Sequence, residues 1–126
     1  MIKVVKNKII KTRIGKIYKC LDSKSKNFKK FGELYFNHLI KSNKKIDWIL
    51  HKRSTCIIKV ISGKVRFMYK IKSGNIRSID VNFANNYSIV IPPKTWFRFQ
   101  SRSPKSIFMN LINNIHNPKE TLRSKE

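Results

Sequence analysis

Few side chains in this sequence combine the type and the spacing that chemistry requires. His51 is followed at once by Lys52 and Arg53. That run sets an imidazole, able to exchange a proton near neutral pH, beside two cations suited to phosphate oxygens, the guanidinium in bidentate fashion. The same three residues would also serve as a hydrogen-bonded structural histidine and two solvated charges, and the residues alone leave both readings open. Lys59 and Arg66 carry the ambiguity of any basic residue in so basic a chain. Tyr35, Tyr69 and Tyr87 offer phenolic protons, yet each suits a sheet interior. Trp96 and Phe99 could stack on a base or sugar ring, or pack in a core. Asn110 lies in an apolar run, where its amide requires a partner from backbone or ligand.

Other chemistries lack their residues. His38 and His116 stand far from His51 in sequence, so no metal-ligand cluster is expected, and no cofactor. Cys20 and Cys56 are too few for a disulfide framework or a cysteine-built zinc site. Cys56, in an apolar run, is expected to be a buried thiol. No Ser/His/Asp or Cys/His nucleophile pattern and no glycine-rich phosphate loop is present.

The groups must be held by β structure, because period-2 alternation runs through the chain and helical periodicity is nearly absent. Leu34, Phe36, His38 and Ile40 fall on one face of a strand, with Glu33, Tyr35 and Asn37 on the other. Asp47, Ile49 and His51 alternate with Ile46, Trp48 and Leu50, so the imidazole points with Ile49 and away from Trp48. Cys56, Ile58 and Val60 alternate with Ile57, Lys59 and Ile61. Beyond Ser62-Gly63, which reads as a hairpin turn, come Val65, Phe67, Tyr69 and Ile71. Lys72-Ser73-Gly74-Asn75 makes a second turn before a strand at 76–81. Asn85-Asn86 interrupts the chain ahead of 87–91, and Pro92-Pro93-Lys94 cannot continue a ladder. Strands at 96–100 and 107–112 flank a polar loop. Asn117-Pro118-Lys119-Glu120 has the cap and the first-turn proline of a short helical turn. The first thirty residues are basic, with an edge strand within 8–18 and a solvated loop at 24–30. Strands this short and this regular indicate an all-β antiparallel sandwich or small barrel. One domain is expected over 1–126: a basic segment 1–30, a β core 31–113 and a tail 114–126.

Composition narrows the function classes. The chain has 126 residues with 29 Lys+Arg against 6 Asp+Glu, a formal net charge of +23. Such a surplus attracts phosphate-bearing partners. The lysines are nevertheless scattered, without a long block or a basic helical stripe, and the wealth of Lys, Ile and Asn fits a compositional bias. No nucleic-acid-binding signature appears, so nucleic acid is expected only as a nonspecific electrostatic partner. No apolar run reaches the roughly 20 residues that span a bilayer. Lysines interrupt the N-terminus too often for a signal peptide. A cytoplasmic protein without a membrane partner is the expectation.

Three segments, taken together, resemble the sugar-nucleotide branch of the cupins, the dTDP-4-dehydrorhamnose 3,5-epimerase-like proteins. Phe31-Gly32-Glu33-Leu34-Tyr35-Phe36 resembles that family's Gly-Glu-x-Tyr-Phe strand. Trp48-Ile49-Leu50-His51-Lys52-Arg53, with Ser62-Gly63 downstream, is similar to its Trp-x-x-His-Lys-Arg run and glycine turn. Ile91-Pro92-Pro93-Lys94-Thr95-Trp96-Phe97-Arg98-Phe99, then Asn110-Leu111 and His116-Asn117-Pro118-Lys119-Glu120, resembles its double-proline segment and closing motif. The chain departs from the pattern at Lys94, where the family has Gly, and at Asn117, where it often has Asp. It departs again at Ile49 and Phe97, where relatives carry His. The longer epimerases pair their catalytic His with an Asp and use a Tyr as acid. This chain has no match for that Asp, and Phe108 lies near where the Tyr would be sought.

The resemblance implies a cupin jelly roll that acts as an epimerase or isomerase on a dTDP-type 4-keto-6-deoxy sugar in surface-polysaccharide biosynthesis. It implies that His51 abstracts the proton beside the ketone. Lys52, Arg53, Arg66, Tyr69, Trp96, Phe99 and Asn110 would contact the nucleotide-sugar substrate. It also implies a homodimer. Ile49, Phe97 and Phe108 support an alternative, a nucleotide-sugar-binding cupin without catalysis, and the charge supports a third, a polyanion-binding protein.

Overall fold

A computed structural model describes residues 1–44 and 46–125; Glu126, the end of the expected tail, lies outside the described residues. Among the described residues twelve short strands follow one another: β1 (Lys3–Lys6), β2 (Ile9–Lys11), β3 (Lys16–Tyr18), β4 (Glu33–Ile40), β5 (Trp48–His51), β6 (Cys56–Ser62), β7 (Lys64–Lys70), β8 (Ile76–Asn82), β9 (Tyr87–Ile91), β10 (Phe97–Ser101), β11 (Lys105–Ile112) and β12 (Thr121–Ser124). Two five-stranded antiparallel sheets face each other, in the orders β1-β9-β6-β11-β4 and β12-β5-β10-β7-β8. Among the described residues, β2 and β3 pair only with each other, as a hairpin outside the sandwich. This is an antiparallel sandwich, as the alternation predicts, and the all-β jelly roll that the resemblance implies.

The inner faces make the core. Ile58, Val60, Val65, Phe67, Val81, Ile89, Ile91, Phe97, Phe108 and Ile112 form one buried cluster. Phe67, Phe99 and Phe108 pack edge-on or tilted, with centroids 4.9–6.4 Å apart. Cys56 lies in the same cluster, fully buried, and burial pushes its thiol up to about 12, so it stays an inert apolar filler.

Four local expectations need correction. Ser62-Gly63 is not a hairpin within one sheet. β6 pairs with β9 and β11, β7 pairs with β8 and β10, so the turn carries the chain from one sheet to the other. Gly63 has φ 76°, and a Cβ there would collide with the carbonyl oxygen of Lys105 and the hydroxyl of Ser106. The edge strand expected within 8–18 is a hairpin of two three-residue strands, and β1, unread in the sequence, pairs with β9 instead. The helical turn at Pro118–Glu120 is present with Asn117 as its cap, but the chain then re-enters the second sheet as β12. The strand expected to begin at Ile46 begins at Trp48.

Lys94 accounts for the glycine that the family pattern has at its position. Its φ is 63°, in the left-handed region, where a side chain costs about 1–2 kcal/mol. Its backbone N–H donates to the carbonyl of His51 at 2.7 Å, so this strained turn is tied to the strand that carries the imidazole. Lys94→Gly is expected to stabilise the protein by about 1 kcal/mol. Urea denaturation with an unchanged slope checks this.

Candidate active site

β5 enters beneath β12 and beside β10, and parity decides what each of its residues meets. Trp48 turns to the outer face, where the guanidinium of Arg98 lies 4.3 Å and the ammonium of Lys70 4.7 Å from its ring centroid. Ile49 and His51 turn inward. They line a cavity of about 260 Å³ between the sheets, whose walls also include Tyr35, Asn37, Phe97, Phe99, Phe108 and Asn110. Ile46, His116, Thr121 and Arg123 complete the lining, and the exposure of His116 and Arg123 marks the mouth.

The imidazole is 8% exposed and held from one side. Its Nδ1 lies 3.1 Å from the Thr121 hydroxyl, which β12 places directly opposite in the ladder. With Nδ1–H donating to that oxygen, Nε2 is the ring nitrogen left free to accept a proton. Burial lowers the His51 pKa, the charge of Glu120 raises it, and His116 and Arg123 lower it again; the net direction is down. The base form is therefore the resting form at neutral pH.

Glu120 holds the end of β5. Its carboxylate accepts from the backbone N–H of Arg53 at 2.9 Å and from the Ser54 hydroxyl at 2.5 Å, and its carbonyl accepts from the N–H of Lys52. Burial pushes its carboxyl up, but these hydrogen bonds outweigh that and hold it below the ordinary glutamate value. The closing His-Asn-Pro-Lys-Glu segment thus fastens the strand end that presents His51.

Across the cavity, Asn110 donates to the Tyr35 phenol oxygen at 2.9 Å, which leaves the phenolic proton free for a guest. Burial pushes the Tyr35 pKa up to about 12, so that proton stays on at physiological pH. The side-chain oxygens of Asn37 and Asn110 are both buried and both without a hydrogen-bond partner. Each is an acceptor waiting for a donor, an arrangement that native interiors rarely leave unfilled.

Of the residues singled out from sequence, His51, Phe99 and Asn110 line this cavity. Lys52 and Arg53 do not; with Asn117, Lys119 and Glu120 they surround a separate hollow of about 270 Å³. Arg66 projects from the outer face into an ion pair with Asp80, with its Nε 2.7 Å from the carboxylate. Tyr69 packs against the core, and Trp96, half-buried ahead of β10, accepts from the Lys70 N–H; neither is part of the cavity wall. Sequence reasoning missed Thr121, whose only signal was its place after the closing motif, and Asn37, visible as the inward partner of Tyr35. Among the described residues no three His, Cys, Asp or Glu side chains stand together as metal ligands would.

No protein-family model matches this chain, and no curated protein does. Solved structures do. A dTDP sugar isomerase from Desulfovibrio desulfuricans superposes with a TM-score of 0.84 at 20% identity, covering 98% of this chain and 83% of its own. A sugar 3,4-ketoisomerase from Thermoanaerobacterium thermosaccharolyticum, solved with TDP, gives 0.83 at 15% identity over 98% and 88%. The two share their fold with this chain. It is the cupin jelly roll. A dTDP-6-deoxy-D-glucose-3,5-epimerase from Legionella pneumophila, solved with dTDP-4-keto-L-rhamnose, has the same cupin fold, with a TM-score of 0.81 at 16% identity over 97% and 71%.

The His51 cavity makes a stability prediction. Because the folded pKa of His51 lies below 6.5, the unfolded chain binds this proton more readily, and stability falls as pH drops below about 6.5. His51→Gln should remove that component of the acid limb. Denaturation midpoints of both proteins between pH 7.5 and 5.0 check it.

Proposed function

We propose that this protein is an isomerase of nucleotide-linked 4-keto-6-deoxy sugars, with the hexose in the His51 cavity and His51 as the base. The observation that carries the reading is the meeting, in one cavity between the sheets, of a neutral imidazole, a protonated phenol and two unpartnered amide oxygens. A hexose brings hydroxyl donors for Asn37 and Asn110 and a carbonyl oxygen for Tyr35. The apolar walls of Ile49, Phe97, Phe99 and Phe108 suit the faces of a deoxy sugar and exclude water. The neighbouring structures add support, because their names describe isomerisation and epimerisation of dTDP sugars.

The chemistry follows from the carbonyl at C4. It acidifies the proton at C3, which His51 Nε2 takes while the electron pair moves into the C3–C4 bond and charge gathers on the C4 oxygen. Tyr35 donates to that oxygen; a phenol held protonated is suited to stabilising charge as it develops. The imidazolium then returns its proton. Delivery to C4, while the C3 hydroxyl passes its proton to the neighbouring C4 oxygen and becomes the carbonyl, gives a 3,4-keto isomer; re-addition at C3 from the far side would require a second acid. The only neutral-range base enclosed among the described residues is His51, which favours the one-base transfer. The diphosphate is assigned to the cations outside: Arg123 at the mouth, then Lys52, Arg53 and Lys119 around the adjoining hollow. Arg66, Tyr69 and Trp96 receive no substrate role.

The apolar replacements Ile49, Phe97 and Phe108 favour a second reading, a binding module that holds the nucleotide sugar without turnover. Incubation of the protein with dTDP-4-keto-6-deoxyglucose in deuterated water separates the two. The proposal expects a 3-keto product by NMR, with deuterium at its C4 to the extent that the imidazolium exchanges its proton before returning it; binding by calorimetry with neither product nor exchange would establish the second reading. His51→Asn should lower turnover by about 10²–10⁴-fold with little change in affinity for dTDP. Tyr35→Phe should lower kcat by about 10²-fold, with a smaller effect on KM.

A further inference from the structure

The β2–β3 hairpin carries a composition of its own away from the sandwich. Residues 8–19 hold Lys8, Lys11, Arg13, Lys16 and Lys19, five cations in twelve residues against 29 in 126 for the whole chain, and no acidic residue precedes Asp22. All five are exposed. Lys11 stands directly opposite Lys16 in the ladder, where like charges work against the pairing. Ile14, at the tip, is 100% exposed, and Ile17 and Ile9 are 49% and 38% exposed. A two-stranded ribbon this short is marginal by itself, so the sandwich has to hold it. It does so at the base. Asn86, fully buried and left-handed at φ 51°, donates from its side-chain amide to the carbonyls of Lys8 and Lys19 at 3.1 and 3.0 Å, one on each arm. Its own carbonyl accepts from the Asn7 N–H, and Tyr18 packs on Phe83 with ring centroids 4.3 Å apart. The base is fixed, and residues 12–15 are turned to solvent.

An anionic partner would relieve the opposition of Lys11 and Lys16. A nucleic acid could do that, but single strands are gripped by stacking on aromatic rings, and the one aromatic of the hairpin, Tyr18, is spent on Phe83. It would also leave Ile14 in water. A bilayer with anionic headgroups satisfies both features at once: its charges meet the cations, and the isoleucine enters the boundary between headgroups and acyl chains. We propose that the β2–β3 hairpin docks this protein on an anionic lipid bilayer, with Ile14 inserted and Lys11, Arg13 and Lys16 against the headgroups. Surface contact of this kind requires no crossing segment, and among the described residues no helix is long and apolar enough to cross a membrane. It replaces the expectation of a chain without a membrane partner, which follows from the lack of a spanning run alone. It is independent of the reaction, because the hairpin contributes no residue to the His51 cavity.

Cosedimentation of the full chain with lipid vesicles at physiological ionic strength tests it. The protein should pellet with vesicles of phosphatidylcholine and phosphatidylserine at about three to one, and stay in solution with phosphatidylcholine alone. Lys11→Ser with Lys16→Ser should weaken binding by about 25-fold. Lys72→Ser with Arg77→Ser, the same loss of charge at exposed positions in and beside the turn between β7 and β8, should weaken it by less than about threefold. Ile14→Ser should weaken it by about tenfold with no change in charge. In Ile14→Trp, the added indole should shift its emission to the blue on anionic vesicles and be quenched by brominated acyl chains. Equal losses from the two charge pairs, Ile14→Ser binding as wild type does, or an indole that stays in water would overturn the proposal. So would a wild type that leaves the anionic vesicles unbound and holds single-stranded RNA through the same two lysines.

Discussion

The structure turns on how one imidazole is kept out of water without being charged. His51 is buried between two sheets, bonded to a hydroxyl rather than to a carboxylate, and its nearest ring is Phe97 at 5.9 Å. A carboxylate on Nδ1 would favour the imidazolium; a threonine orients the ring and leaves its proton affinity to burial. The nearest negative charge, Glu120, is occupied with backbone N–H groups and the Ser54 hydroxyl, so it acts on the ring only through space. Position and electrostatics are thereby assigned to adjacent residues of one segment, Glu120 and Thr121.

The rest of the site is arranged around that neutrality. Tyr35 is held protonated by the same burial, and Asn110 spends its N–H on the phenol oxygen, which frees both the phenolic proton and its own carbonyl oxygen. The cavity therefore offers one base, one donor and two acceptors, all uncharged. The surplus of positive charge stays at the rim and on the outer surface. That separation suits a guest whose sugar is neutral and whose phosphates are not.

The alternation of small runs of residues made the sandwich readable, and it placed His51 with Ile49 and opposite Trp48, as observed. It could not say which sheet each strand joins. Ser62-Gly63 has the composition of a hairpin turn, but the choice between pairing and crossing is made by β11, far away in sequence, which claims β6. β12 was illegible for a similar reason: Thr121–Ser124 has no apolar alternation, and its strand exists because β5 offers it an edge. Lys52 and Arg53 were attached to His51 by adjacency, whereas a strand end turns its next residues outside. Arg66 illustrates period 2 working against the reading, since Val65 and Phe67 take the inside and send it outward to Asp80.

A crystal structure of the His51→Asn variant with dTDP-4-keto-6-deoxyglucose tests the central claim most directly. The account predicts the hexose between the sheets, C3 and C4 within hydrogen-bonding reach of the residue 51 amide, and sugar hydroxyls on the oxygens of Asn37 and Asn110. A hexose lodged in the hollow of Lys52 and Lys119, or turned so that C3 and C4 face Phe97 and Phe108, would contradict it.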